Sequence, residues 1–118
     1  MRSTIAIKRA YDPPEVSDGR RILVDRLWPR GVAKDDAQLS LWLKEVAPSP
    51  ELRRWFGHDP QRWAEFVRRY RAELADRPEP VERLRSLAAE GRLTLVYGAR
   101  DPVHNHAAAL CAYLAEKG

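Results

Sequence analysis

The 118-residue chain has one cysteine, one methionine, two phenylalanines and no long apolar run. A single cysteine cannot close an internal disulfide, so the fold must hold without one, and a reducing compartment is the simpler expectation. A mean hydropathy of −0.57 and the missing apolar run exclude a transmembrane helix. Met1-Arg2-Ser3-Thr4-Ile5-Ala6 lacks the apolar core of an export signal, so a cytoplasmic location is expected. There is no glycine-rich P-loop and no Gly-x-Gly-x-x-Gly, which removes nucleotide binding by either motif. Metal spacing is missing too. His104 and His106 are two apart and do not share a helix face, while Cys111, between Leu110 and Leu114, reads as packed and unreactive. No metal and no cofactor are expected.

Hydrophobic residues at 44% and charged residues at 32% describe a globular chain of one domain, residues 1–118. The net charge of +4 is unevenly placed. Residues 1–34 hold eight basic side chains against four acidic ones, and the rest of the chain balances. Charge concentrated in one third of a chain focuses a field on an anionic partner. Most of these cations are arginines, whose planar fork suits phosphate or carboxylate.

Residues 3–8 alternate loosely around Ile5 and Ile7 and read as a strand. Asp12-Pro13-Pro14 and Ser17-Asp18-Gly19 are turn chemistry, and Ile22-Leu23-Val24 is a short buried strand. Trp28-Pro29-Arg30-Gly31 must break it, since proline cannot donate to a ladder. Leu39 to Val46 fits a strand or a short helix. Ser49-Pro50, Asp59-Pro60 and Asp101-Pro102 each place a capping side chain before a proline, predicting three helix starts. The first of these helices ends at Gly57. The second carries Trp63, Phe66, Val67, Tyr70 and Leu74 on one stripe, with a salt-bridged face formed by Arg62, Glu65, Arg68, Arg69 and Glu73. A further helix is expected from about Pro80 to Glu90, and a strand at 93–97. The pattern predicts an α/β domain: a short central sheet, at least partly parallel, flanked by about four helices.

Val24-Asp25-Arg26-Leu27-Trp28-Pro29-Arg30-Gly31, followed by Lys34, is the densest chemical cluster. Arg26, Arg30 and Lys34, with Arg9, are candidates to hold an anion. Asp25 is a candidate base or orienting group, and Trp28 a stacking face. The competing assignment is an Asp25–Arg26 ion pair with Trp28 in the core. A second cluster runs from Tyr97 through Asn105 and His106, where a strand, a short loop and a helix start expose N–H groups to negative charge. Here Asp25 and His106 are the acid–base candidates, and Tyr97 and Asn105 would orient the substrate. His58 either faces the site or faces solvent. The two clusters are expected to be walls of one pocket for a phosphorylated or nucleotide-like small molecule. The alternatives are a nucleic-acid module using the basic N-terminal third, or an adaptor presenting Trp28, Trp42 and Trp55.

Arg9-Ala10-Tyr11, the run from Arg21 to Gly31, and Lys34 resemble the signature of the YeaO-like proteins, domain of unknown function 488. The resemblance continues through Trp42, Ala47-Pro48-Ser49, Leu52-Arg53, Trp55-Phe56 and His58. It then takes in Arg62-Trp63, Phe66, Tyr70, Glu73-Leu74, Thr94-Leu95 and Asn105-His106-Ala107. Gly98 stands where the resemblance leads one to expect alanine. It implies a compact α/β domain of bacterial type and supplies no reaction.

Overall fold

The computed structural model describes residues 5–116, so Ser3 and Thr4 of the first expected strand lie outside the described residues. Four parallel strands, β1 (Ile5–Arg9), β2 (Arg20–Leu23), β3 (Leu41–Trp42) and β4 (Leu93–Tyr97), form one sheet in the order β1-β4-β2-β3. The expected sheet is therefore parallel throughout these strands. β4, at its centre, is buried at all five positions, as a strand covered on both faces must be.

Alternation along the strands sorts the side chains onto two faces. Ile5, Ile7, Ile22, Leu93, Leu95 and Tyr97 face the larger core. Leu23 and Val96 join Ala10 in a smaller cluster that Trp28, Val32, Leu39 and Trp42 partly cover. The helices α2 (Pro50–Phe56), α3 (Trp63–Ala75), α4 (Pro78–Glu90) and α5 (His106–Ala115) supply the larger core. The other face is closed by the single turn α1 (Lys34–Ala37), the 3-10 turn Val16–Asp18 and the loops beside them. That thin layer is held by charge. Asp18, 6% exposed, takes hydrogen bonds from Lys8, Arg21 and the Glu15 backbone, while Arg21 Nε donates to the Ala37 carbonyl. Gly19 (φ 66°) lets the chain leave this turn, since a Cβ there would stand 2.4 Å from the Arg92 carbonyl oxygen.

Local signals hold for most elements. Ser49 caps α2 with Pro50 at its first position and left-handed Gly57 at its end. Asp59 caps the 3-10 turn Pro60–Arg62, which runs into α3. Leu39 to Val46 is neither one strand nor one helix: β3 takes two residues and a 3-10 turn takes Lys44–Val46. α4 starts at Pro78 rather than Pro80. The last helix starts at His106, capped by Asn105, and not after Asp101. Asp101 instead accepts from the Val103 and His104 amides and closes the loop before the helix. Within α3, Phe66, Tyr70 and Leu74 are buried as the stripe requires, whereas Trp63 and Val67 are half-buried. Glu65 pairs with Arg68 and Arg69, but Glu73 turns to the Ser49 amide and hydroxyl. Among the described residues no helix is long and apolar enough to cross a membrane.

Candidate functional site

The chain leaving β2 turns to the smaller core, where Trp28 and Val32 pack, while the chain leaving β4 turns to the face carrying α5. β2 and β4 are neighbours, so their continuations part at the carboxyl end of the sheet. In parallel α/β sheets such a divergence opens a crevice. Asp25 stands on one side of it and Gly98 on the other. The Gly98 amide donates to Asp25 Oδ2 at 2.9 Å, and a Cβ at Gly98 would sit 3.0 Å from that same oxygen. Glycine here permits the close approach that the expected alanine would crowd.

Asp25 does not pair with Arg26. Its other oxygen, Oδ1, lies 2.9 Å from His106 Nε2, and Nε2 lies 3.0 Å from the Val24 carbonyl. A carbonyl only accepts, so Nε2 carries a hydrogen. That hydrogen is directed at the carbonyl, and Oδ1 is buried with no aligned donor. Nδ1 of His106 is left as the ring nitrogen with no protein partner among the described residues. Trp28 is half-buried, donates Nε1–H to the Val32 carbonyl and meets Trp42 edge to face at 5.4 Å. Its neighbours are those of a packing residue, although its ring also reaches the crevice.

The crevice has two lobes. The first, about 180 Å³, lies among α2, α3 and the start of α5 and includes Phe56, Phe66, Arg54 and His104. The second, about 250 Å³, includes Asp25, Arg26, Leu27, Trp28 and Tyr11. Pro48, Arg53, His58, Ala99 and His106 line both. The two clusters singled out in the sequence thus border one cleft, and all three histidines of the chain line it. His58 follows Gly57 with both residues left-handed, at φ 58° and 54°, a backbone that non-glycine residues rarely adopt. Among the described residues no group of three or more His, Cys, Asp or Glu side chains could hold a metal.

The remaining candidates divide. Asn105 borders the first lobe, but its side chain is committed: Oδ1 accepts the Ala108 amide and Nδ2 donates to the Asp101 carbonyl. Arg9 donates Nε–H to the Ala99 carbonyl and covers the Tyr11 ring, bracing the wall from behind. Tyr97 is buried beneath the site, and burial pushes its phenol above the ordinary value. Arg30 and Lys34 are exposed and outside the lining of either lobe; Arg30 offers only its carbonyl, to the Tyr11 hydroxyl. Arg53 and Arg54 line the cleft too, and the sequence does not single them out. Two adjacent exposed arginines on a short helix look like any solvated surface, and only Phe56 and Leu52 turning inward aims them at the cleft.

Outside the cleft the cations divide between paired and unpaired: Arg9, Arg30, Lys34, Lys44, Arg83, Arg85, Arg92 and Arg100 have no carboxylate partner among the described residues. Lys8, Arg20, Arg21, Arg62, Arg68, Arg69, Arg71 and Arg77 all have carboxylate partners. Arg26, Arg53 and Arg54 have none among the described residues. Arg26 makes only long contacts, 3.4 and 3.5 Å, to the Ala47 and Pro48 carbonyls, and its buried Nε has no partner.

Fold and cleft together define a small parallel α/β domain with an arginine- and histidine-lined crevice at the switch point of its sheet. The chain belongs to the family described as the inactive DUF488-N3 subclade, whose model matches residues 4–118. It is 48% identical over 110 residues to the uncharacterized protein YeaO of Escherichia coli (strain K12), covering 93% of this chain and 96% of that one. It is 43% identical over 110 residues to the uncharacterized proteins Rv3073c of Mycobacterium tuberculosis (strain ATCC 25618 / H37Rv) and Mb3100c of Mycobacterium bovis (strain ATCC BAA-935 / AF2122/97), covering 93% of this chain and 92% of each. No solved structure matches.

Proposed function

We propose that the protein binds an anionic small molecule, phosphorylated or nucleotide-like, in the two-lobed cleft. The observation that carries this reading is the set of three guanidinium groups, Arg26, Arg53 and Arg54, lining one crevice with no carboxylate partner among the described residues. A guanidinium that meets a phosphate in a partly desolvated cleft forms charge-assisted, often bidentate hydrogen bonds. His106, held through Nε2 by the Val24 carbonyl, offers Nδ1 to the same ligand. Binding is favoured over turnover. The matched subclade is described as inactive. A nucleic-acid surface has less support, because Lys8, Arg20 and Arg21 of the basic N-terminal third are consumed in internal ion pairs.

The test is a thermal-shift titration with inorganic phosphate, phosphomonoesters and nucleotides. A ligand at about 100 times its Kd stabilises the native state by ~2.7 kcal/mol. Arg53→Ala, at an exposed position, should abolish that shift and leave the ligand-free melting temperature nearly unchanged. A protein that shifts with none of these anions, or shifts equally in the variant, does not bind them here.

A further inference from the structure

Each lobe holds one guanidinium of its own, Arg54 in the first and Arg26 in the second, and further cationic or imidazole groups are shared. Arg53, His58 and His106 line both lobes and therefore stand at the waist between them. Beyond the waist, the first lobe has an aromatic wall in Phe56 and Phe66, whose rings stack at 4.4 Å, and the second presents Leu27 and Trp28. We propose that the ligand is a phosphodiester-type anion, with its charge at the waist and an organic group in each lobe. This rests on the anion-binding reading above and narrows it.

Size supports the division. Lobes of about 180 and 250 Å³ each exceed the roughly 150 Å³ in which a benzene-sized group is held. Each falls below the roughly 300–1,000 Å³ typical of a complete ligand site, and the two together fall within it. Electrostatics point the same way. Among the described residues Asp25 is the single carboxylate lining either lobe, and it lines the second. At the waist an anion meets a guanidinium and two imidazoles, with Asp25 against Nε2 of His106 and the opposite ring nitrogen, Nδ1, left for the ligand. Arg54 in the first lobe and Arg26 in the second then lie against the organic groups, where a guanidinium plane can stack on a flat ring.

Calorimetric titration with inorganic phosphate, phenyl phosphate and diphenyl phosphate tests this. Near neutral pH phenyl phosphate is largely a dianion and diphenyl phosphate a monoanion, so charge alone ranks phenyl phosphate first. The two-lobe arrangement predicts the reverse, with diphenyl phosphate at least tenfold tighter. Leu27→Ala in the second lobe and His104→Ala in the first should each weaken diphenyl phosphate several-fold, whereas a ligand filling one lobe answers to only one of them. Phenyl phosphate binding as tightly as the diester, with both lost in Arg53→Ala, would overturn the two-lobe proposal and leave the anion site standing. If none of the three binds, or if binding ignores Arg53→Ala, the anion site itself falls.

Discussion

Phe66 and Trp63 lie three residues apart on one face of α3, and their surroundings differ. Phe66 is 1% exposed and stacks between Phe56 and Tyr70, whereas the half-buried Trp63 ring meets Phe56, Phe66 and His104 near the rim of the first lobe. Phe66→Ala should therefore cost about 3–5 kcal/mol, and Trp63→Ala, which gives up less buried area, nearer ~2 kcal/mol. Urea unfolding measures both, and the opposite order would mean that α3 is rotated about its axis. Asp101 supplies a pH-dependent contribution. The His104 and Val103 amides, with the His104 ring, hold its carboxyl down at about 2 from an ordinary 3.8. A carboxylate with a lowered folded pKa adds stability that is complete above its unfolded value and is lost as pH falls through the folded one. The stability gap between the wild type and Asp101→Asn should thus be full above about pH 4 and close as pH approaches 2. Asp18 titrates in the same acid range. Burial raises its carboxyl, but the Glu15 amide, Lys8 and Arg21 outweigh that and hold it below its usual range. It is common to both proteins and cancels from the comparison. A gap that persists unchanged at pH 2 would show that the loop does not depend on the charge.

At the scale of elements, α5 shows how two adjacent cap signals compete. Asp101-Pro102 has the chemistry of a helix start, yet its carboxylate closes a local turn, and Asn105 caps the helix four residues later. Asn105 is 2% exposed and bonds in both directions, so Asn105→Ala removes a cap and also frees the Asp101 carbonyl. The expected loss is about 1–2 kcal/mol, read from chemical denaturation. A change within ~0.3 kcal/mol would place the functional cap elsewhere. α3 is tied to the loop before α2 as well as to the core. The buried Tyr70 hydroxyl donates to the Val46 carbonyl, and burial pushes its ionisation far above the ordinary tyrosine range. Tyr70→Phe leaves that carbonyl unpaired and should cost about 1–3 kcal/mol with little change in volume.

For the whole molecule, one set of strands serves both faces. Ile22 and Leu23 are adjacent in β2, yet one belongs to the helical core and the other to the smaller cluster. Neither face can open without disturbing the same central strands, so unfolding should be a single cooperative transition. Far-UV circular dichroism reports mainly on the helices, and tryptophan fluorescence on both faces, since Trp55 and Trp63 lie on the helical face and Trp28 and Trp42 on the other. Their midpoints should coincide. A separate early fluorescence change would show that the thin layer over Leu23 and Val96 melts on its own.

What the sequence by itself determined is local. Caps at Ser49 and Asp59, the left-handed Gly57, the buried run at Leu93 to Tyr97 and the α/β class all follow from interactions within a few residues, where spacing along the chain equals spacing in space. Asp25 and His106 were legible as chemical groups for the same reason, and so was the family. Only the tertiary structure decided which groups meet. His106 reaches the Val24 carbonyl across 82 positions because β2 and β4 are neighbours and their continuations part to opposite faces. Arg30 and Lys34, close to Asp25 in sequence, are carried out of the cleft by the turn at 29–32, where Gly31 takes φ 81°. Arg53 is brought to it by the inward face of a seven-residue helix. Strand order is set by long-range packing of faces that alternate in the same way in every strand, so no single segment encodes it.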